Sequence, residues 1–251
     1  MGFPLYLVAL FAALSRIAFA QSLTVANESS SNLARWKDKW ATNTIGWHGD
    51  GVNDAIKAHG DKLLKANDSC TVDMRVFVPL CGKSLDVAYF ASHEDVTEVV
   101  GVDGIRKALE EFTNEHPDLE LKEMEPTESY EVFKGNKITL LKGDFFELND
   151  EFTGGKFAAI YDRASLVAIQ PEMREKYMEV MQRIIAPGGK ILLVTVEHYK
   201  GTGPPFSIPE TDVRLLYEGK DWVESVTQMN PEEAELDDRG RLSRWYLIQA
   251  K

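Results

Sequence analysis

Short apolar runs alternate along this chain with segments whose apolar residues recur every three or four positions. Unbroken runs of this length are typical of buried strands, and the wider spacing is typical of amphipathic helices. The predicted strands cover residues 76–80, 99–102, 137–142, 156–161 and 190–196. Two later runs, 222–229 and 243–250, flank a charged turn and predict an antiparallel hairpin. The alternation predicts an α/β fold, a doubly wound and mostly parallel sheet of seven strands that the C-terminal hairpin closes.

The helical spacing places helices between these strands. The predicted helices cover residues 33–40, 52–64, 85–91, 105–112, 171–185 and 210–217. Proline at position 171 suits the first turn of a helix, and the His116-Pro117 pair ends the helix before it. Residues 120–134 are acidic and follow neither period, and the Ala-Pro-Gly-Gly segment 186–189 predicts a turn.

The N-terminus differs from the rest of the chain. Residues 1–20 contain ten consecutive apolar residues followed by Ala18-Phe19-Ala20, a pattern typical of a cleavable secretory signal. An organellar or signal-anchor segment and an uncleaved start are the alternatives, so the compartment is secretory, organellar or cytoplasmic. Residues 21–32 are rich in serine and asparagine and predict a disordered linker before a domain that spans 33–251. Asn27 and Asn67 begin N-glycosylation tripeptides, a number close to chance expectation.

Composition narrows the classes of function. The 251 residues carry a formal net charge of −12, which disfavours a nucleic-acid partner and fits a small-molecule enzyme or a carrier. Two cysteines, Cys70 and Cys81, are too few for a disulfide scaffold, and no closely spaced ligand pairs predict a zinc site. Cys81 has no accompanying base, so the interpretation as a small buried filler is favoured over that of a nucleophile.

The stretch from Met74 to Asp103 reads as strand, glycine turn, helix, strand and acid. In a parallel sheet this order places a ligand at the end of the first strand and a carboxylate about 20 residues later, where it can accept hydrogen bonds from ribose hydroxyls. Gly82 is the single glycine of the turn, and Phe77 holds the place of the first Walker A glycine. The turn therefore suits a nucleoside without a pyrophosphate, and cationic S-adenosyl-L-methionine suits an acidic protein.

Four strand ends of the predicted sheet carry candidate ligand contacts. They are Leu80 to Gly82, Asp103, Asp144 with Phe145, and Asp162 with Arg163. A single acid after a strand is commonly a helix cap or a turn residue. Four such ends at the same edge of one sheet predict a shared ligand site.

Several motifs resemble the thiopurine S-methyltransferase family, its bacterial members especially. They are VFVPLCGKSLD (76–86), VVGVD (99–103), GDFFEL (143–148), YDRASLVAI (161–169), GPPFSIP (203–209), WKDKW (36–40) and IGWH (45–48). The resemblance covers about residues 33–251. It implies a class I, Rossmann-like methyltransferase fold and S-adenosyl-L-methionine as the methyl donor.

The resemblance also implies a role for individual residues. Around the cofactor, Trp36 and Trp40 would close over it, and Leu80 and Gly82 would lie along its methionine and ribose. Asp103 would hold the ribose hydroxyls, and Asp144 and Phe145 would flank the adenine. Trp47 and Arg163 would border the acceptor pocket. For the tryptophan pair, simple hydrophobic anchoring is the alternative. Arg163 and Asp162 are the candidate catalytic residues: Arg163 would favour a thiolate, and Asp162 would orient Arg163, with proton abstraction left open. Asp103 departs from the family, which usually has glutamate there, and Trp47 stands where phenylalanine is common.

The reaction implied is displacement of the sulfonium methyl group by the sulfur or selenium of a small thiol or selenol. Alternatives with the same fold are methylation of halide, selenide, tellurite or thiocyanate, and binding of the cofactor without catalysis. A nucleotide-dependent reductase is disfavoured by the missing glycines. We further expect a monomer without a nucleic-acid partner and without stable embedding of the domain in a membrane.

Overall fold

A computed structural model describes residues 32–65, 69–199, 201, 203–229 and 236–251. The chain divides into two compact units between Ile45 and Gly46. In the first unit, residues 32–41 form helix α1, on which Trp36 and Trp40 lie one turn apart. The predicted targeting segment 1–20, the asparagines of both glycosylation tripeptides and the linker up to residue 31 lie outside the described residues.

The second unit, Gly46–Lys251, carries the sheet. Its helices are α2 (Asp54–Leu64), α3 (Leu85–Ser92), α4 (Arg106–Glu115), α5 (Arg174–Ile184) and α6 (Glu210–Tyr217). Its strands are β1 (Arg75–Val78), β2 (Glu98–Asp103), β3 (Lys122–Glu123), β4 (Glu131–Lys134), β5 (Ile138–Lys142), β6 (Phe157–Arg163), β7 (Ile185–Glu197), β8 (Val223–Gln228) and β9 (Leu242–Ala250). Across the described ranges, every helix is too short or too polar to cross a bilayer.

The strands form one sheet in the order β3-β4-β5-β2-β1-β6-β7-β9-β8. Its centre, from β5 to β7, is parallel, and β9 lies antiparallel between β7 and β8. The predicted α/β class is confirmed, but the described part of the sheet has nine strands where seven were expected. Strands β3 and β4 come from residues 120–134 and pair antiparallel at the edge. They escaped the apolar pattern because β3 is two exposed residues and β4 has one buried side chain.

The predicted turn at 186–189 lies inside strand β7. Phe157 of β6 pairs with Ile185, and Ala159 pairs with Lys190, so the two strands are out of step through the Ala-Pro-Gly-Gly segment. Gly188 adopts a left-handed φ of +69°, and its N–H donates to the Lys251 carbonyl at 3.1 Å. The proline and glycines therefore make an irregular strand start and not a separate turn.

Helices cover both faces of the sheet, which explains the unbroken apolar runs. Apolar side chains of α2, α3 and α4 pack on one face, on the same side as Val76, Val78 and Tyr161. The residues between these positions point to the opposite face, where Phe77 packs against Phe157 with ring centroids 5.1 Å apart. This alternation decides which residues at the strand ends can meet.

Gly101, in the middle of β2, offers a test of the packing beneath the loop that follows β1. A β-carbon there would lie 2.7 Å from Cys81 Sγ and 3.0 Å from Leu140 Cδ2. We expect Gly101→Ala to lower the free energy of unfolding by about 1–3 kcal/mol, measured by urea denaturation, because buried groups have no room to yield. Gly51→Ala is the matched control, since a β-carbon on Gly51 meets nothing within 4 Å. Equal losses in the two variants would contradict the close packing.

Candidate functional site

The four predicted strand ends lie side by side. Strands β5, β2, β1 and β6 are consecutive neighbours in the sheet, so Asp144, Asp103, Gly82 and Arg163 follow one another along its carboxyl edge. The chain passes from β1 to β2 and β5 and then crosses to β6 on the other side of β1. Ligands of doubly wound sheets bind at such a point of reversal. The row spans three strand spacings, about 15 Å.

Asp103 joins the ends of β1 and β2. Its Oδ2 accepts the Gly82 N–H at 2.9 Å, and its Oδ1 accepts the Ile105 N–H at 2.8 Å. Asp103 is only 7% exposed, and this burial raises the pKa of its carboxyl group to about 6. Each carboxylate oxygen keeps a second acceptor site beyond these backbone donors. These remaining sites can accept hydrogen bonds from a ligand.

The loops after β1 and β6 are tied together in a strained conformation. Leu80 and Ala164 both have left-handed φ angles, +43° and +62°, although neither is glycine. The Ser165 hydroxyl crosses between the loops and donates to the Pro79 carbonyl at 2.6 Å. Conformations of this kind cost about 1–3 kcal/mol each and cluster at ligand sites. Ser165 was missed in the sequence because its partner is distant in the chain.

In the loop after β1, Cys81 and Lys83 pack against or bind to neighbouring elements of the fold. Cys81 is buried beside Gly101 and Leu140, and burial raises the pKa of its thiol well above the ordinary value, in keeping with the interpretation as a small buried filler. Lys83 binds Glu111 at 2.9 Å and Glu115 at 2.7 Å on α4. Its ammonium group anchors the loop to that helix. Among the described residues, no group of three or more His, Cys, Asp or Glu side chains could hold a metal ion.

At the end of β5, Asp144 and Phe145 point in different directions. Asp144 is exposed and caps the following turn by accepting the Phe146 N–H at 2.9 Å. Phe145 is 3% exposed, and its ring stacks on Tyr177 at a centroid distance of 4.6 Å. The Phe145 ring thus belongs to the core behind the edge, whereas the Asp144 side chain is accessible.

The predicted pairing of Asp162 with Arg163 is wrong. Adjacent residues of a strand point to opposite faces, and Asp162 lies fully buried on the α5 side. There its carboxylate accepts hydrogen bonds from the Tyr177 hydroxyl at 2.8 Å and from the Leu166 N–H at 3.2 Å. The carboxylate beside Arg163 belongs instead to Asp86, 3.8 Å from Arg163 Nη1. Asp86 lies within a quoted motif, but the sequence does not show that β1 and β6 are neighbours.

Trp47 lies in a loop that adjoins Arg163. The Arg163 guanidinium donates through Nη2 to the Trp47 carbonyl at 3.0 Å. The next residue, His48, has a lowered pKa because of its partial burial and the nearby charge of Lys83, so its imidazole is neutral near pH 7. The Arg163 guanidinium and the Trp47 backbone are therefore neighbours.

The segment 203–209 is held close to the ends of β6 and β7. It contains a cis bond between Pro204 and Pro205. The Phe206 N–H donates to the Val167 carbonyl at 2.7 Å, and a ring nitrogen of His198 lies 2.9 Å from the Pro205 carbonyl oxygen. His198 thus shares a hydrogen bond with this loop.

Three comparisons place this arrangement among known proteins. Residues 31–243 match the family model described as Thiopurine S-methyltransferase (TPMT). The thiopurine S-methyltransferase of Pseudomonas aeruginosa (strain LESB58) is 38% identical over 187 residues, which cover 73% of this chain and 81% of that relative. That of Vibrio campbellii (strain ATCC BAA-1116) is 35% identical over 224 residues, 86% of this chain and 97% of the relative. A SAM-dependent methyltransferase structure from Anabaena variabilis aligns with a TM-score of 0.60 at 14% identity, covering 87% of this chain and 95% of the other.

The sheet order and the structural match define the class: the fold is that of the S-adenosylmethionine-dependent methyltransferases. The extent of the family match and the identity to its members narrow the assignment. This chain belongs to the thiopurine S-methyltransferase family.

The buried Asp162 carboxyl group gives a test of this part of the structure. Burial raises its pKa to about 6, against an ordinary value near 4. Between about pH 4 and pH 6 the native state holds a proton that the unfolded chain has lost, so rising pH removes stability. We expect the wild-type advantage in unfolding free energy over Asp162→Asn to fall by about 2–3 kcal/mol across this interval, measured by urea denaturation. A difference that does not change with pH would contradict the burial of a charged carboxylate.

Proposed function

We propose that this chain transfers a methyl group from S-adenosyl-L-methionine to the sulfur or selenium of a small thiol or selenol. Membership of the family makes it a methyltransferase, and its fold is the one that S-adenosylmethionine-dependent enzymes use. The observation that carries the proposal is the row of Asp144, Asp103, Gly82 and Arg163 on adjacent strands. A ligand lying along that row would meet acceptors at one end and a cation at the other.

The cofactor side comprises the ends of β5, β2 and β1. Asp103 would accept hydrogen bonds from the two ribose hydroxyls with the acceptor sites that Gly82 and Ile105 leave free. The turn from Leu80 to Gly82 would lie along the methionine and ribose, since Gly82 adds no side chain there. Asp144 would meet the adenine edge in front of the buried Phe145. The roles of Trp36 and Trp40 stay predictions from the family resemblance.

The acceptor side comprises the end of β6 and the loop that carries Trp47. S-adenosyl-L-methionine supplies a methyl group on a sulfonium, and attack by a thiolate forms the new S–C bond as S-adenosylhomocysteine leaves. Arg163 would favour the thiolate form of the acceptor, because a nearby cation lowers the pKa of a thiol. Asp162 is removed from this side by its hydrogen bonds, so we assign it no proton transfer. The remaining contributions are orientation and exclusion of water.

The proposal is tested with the full chain and S-adenosyl-L-methionine labelled on the methyl group. Thiophenol, a thiopurine, hydrogen sulfide and a selenol are offered as acceptors, with iodide and thiocyanate alongside. We expect labelled methyl groups on sulfur and selenium and the release of S-adenosylhomocysteine. Transfer only to iodide or thiocyanate would replace the proposed acceptor class. A chain that neither transfers methyl groups nor binds S-adenosylhomocysteine would contradict the proposal altogether.

The ribose role of Asp103 has its own test. We expect Asp103→Ala to weaken S-adenosylhomocysteine binding by about 1–3 kcal/mol in calorimetry, because it removes a charged hydrogen-bond acceptor. Glu98→Gln is the control, since Glu98 starts the same strand at the opposite edge of the sheet and binds Arg75. Unchanged affinity in a folded Asp103→Ala variant would refute the role.

A further inference from the structure

We propose that Asp86 is the positioning residue for Arg163, and that their ion pair holds the loop between Trp47 and Asn53 against the acceptor side. The inference deepens the proposed function and rests on it. Asp86 is 1% exposed and lies in the first turn of α3, directly after the glycine turn. The sequence alone gave Asp86 no predicted role.

The Asp86 carboxylate gathers donors from three parts of the chain. Its Oδ1 accepts the Asn53 N–H at 2.9 Å, and its Oδ2 accepts the Ser84 hydroxyl at 3.0 Å. Arg163 Nη1, from the end of β6, lies 3.8 Å from the same Oδ2. The Asn53 N–H and the Ser84 hydroxyl are neutral, and an amide could accept the first through its oxygen and donate to the second through its nitrogen. The feature that requires a negative charge is the guanidinium.

Arg163 completes the link to the loop from the other side. While Nη1 faces Asp86, Nη2 donates to the Trp47 carbonyl at 3.0 Å. One end of the loop, Asn53, is thus bonded to the carboxylate, and the other end, Trp47, is bonded to the cation. The residues between them form no helix or strand, and Asp50 and Gly51 are exposed. The ion pair therefore contacts both ends of this irregular segment, in addition to the packing of Val52 on the core and the capping of α2 by Asn53.

The energetic cost of this arrangement points to a positioning role. A buried carboxylate is costly unless it is well paired, and a buried ion pair is weak evidence for a role in stability. An arginine side chain loses much rotamer entropy when it is held in one place. Contacts with Asp86 and the Trp47 carbonyl hold Arg163 before any ligand arrives. Asp86 thereby acts on the acceptor through Arg163 and without touching it.

The first test is Asp86→Asn, which keeps an acceptor for the Asn53 N–H and removes the charge. We expect the KM for a thiol acceptor to rise about tenfold, because small misplacement of an orienting group is costly, while the Kd for S-adenosylhomocysteine changes less than about twofold. Asp86→Glu restores the charge and should recover most of the loss. Glu98→Gln removes a carboxylate from another partly buried arginine pair, at the opposite edge of the sheet, and should leave the KM unchanged.

A double-mutant cycle separates action through Arg163 from a general structural effect. In an Arg163→Met background, Asp86→Asn should change the KM by less than about twofold, because the residue it positions is absent. Effects that multiply as for independent sites would overturn the inference. So would an unchanged KM in the single Asp86→Asn variant.

Amide hydrogen exchange gives a readout that needs no activity. Exchange in segment 47–53 should accelerate in Asp86→Ala and, from the other member of the pair, in Arg163→Met, while strand β1 stays protected. Unchanged exchange in both variants would overturn the anchoring. If the wild type neither transfers methyl groups nor binds S-adenosylhomocysteine, the proposed function fails, yet this measurement still decides whether the pair holds the loop.

Discussion

The hydrogen bonds of the Asp103 carboxylate are the contact on which the site is built. They run from the last residue of β2 to the turn after β1 and to the start of the next helix, so one side chain sets the spacing of two loops. The cost is a charged group almost out of contact with water, which raises the pKa of Asp103 to about 6. Asp86 and Asp162 are also buried, each with one backbone and one side-chain donor. Burial of these carboxylates costs stability, and two of them, Asp103 and Asp86, hold groups at the carboxyl edge of the sheet.

The sequence predicted the fold well for strands that are buried on both faces of the sheet. Helices cover both faces of β1, β2, β5 and β6. Each of these strands is therefore an unbroken apolar run in the sequence, and its end could be predicted. Strands β3 and β4 lie at an exposed edge and left no such pattern. Gly188 and Gly189 suggested a turn because glycines are common in turns. They are equally suited to a strand whose pairing register shifts, as the register of β7 does against β6.

Prediction of the site was limited by partners that are distant in the chain. Gly82, Asp103, Asp144 and Arg163 followed from the rule that strand ends meet at one edge. The assignment of Asp162 to Arg163 relied on adjacency in the chain, and the alternation of side chains in a strand sends the two to opposite faces. Asp86 and Ser165 find their partners 77 and 86 positions away from them in sequence (163 − 86 and 165 − 79), across the β1–β6 boundary. Sequence spacing holds no information about that boundary until the strand order is known.

The same strand order has a consequence for how this protein can change over generations. The residues proposed to bind the cofactor follow β5, β2 and β1, whereas Arg163 and segment 203–209 lie at the ends of β6 and β7. Substitutions in the Trp47 loop or in 203–209 therefore leave the Asp103 hydrogen bonds in place. The Ser165–Pro79 hydrogen bond still joins the two sides, so a library confined to these two loops would vary the proposed acceptor side while the residues proposed to bind the cofactor are inherited unchanged.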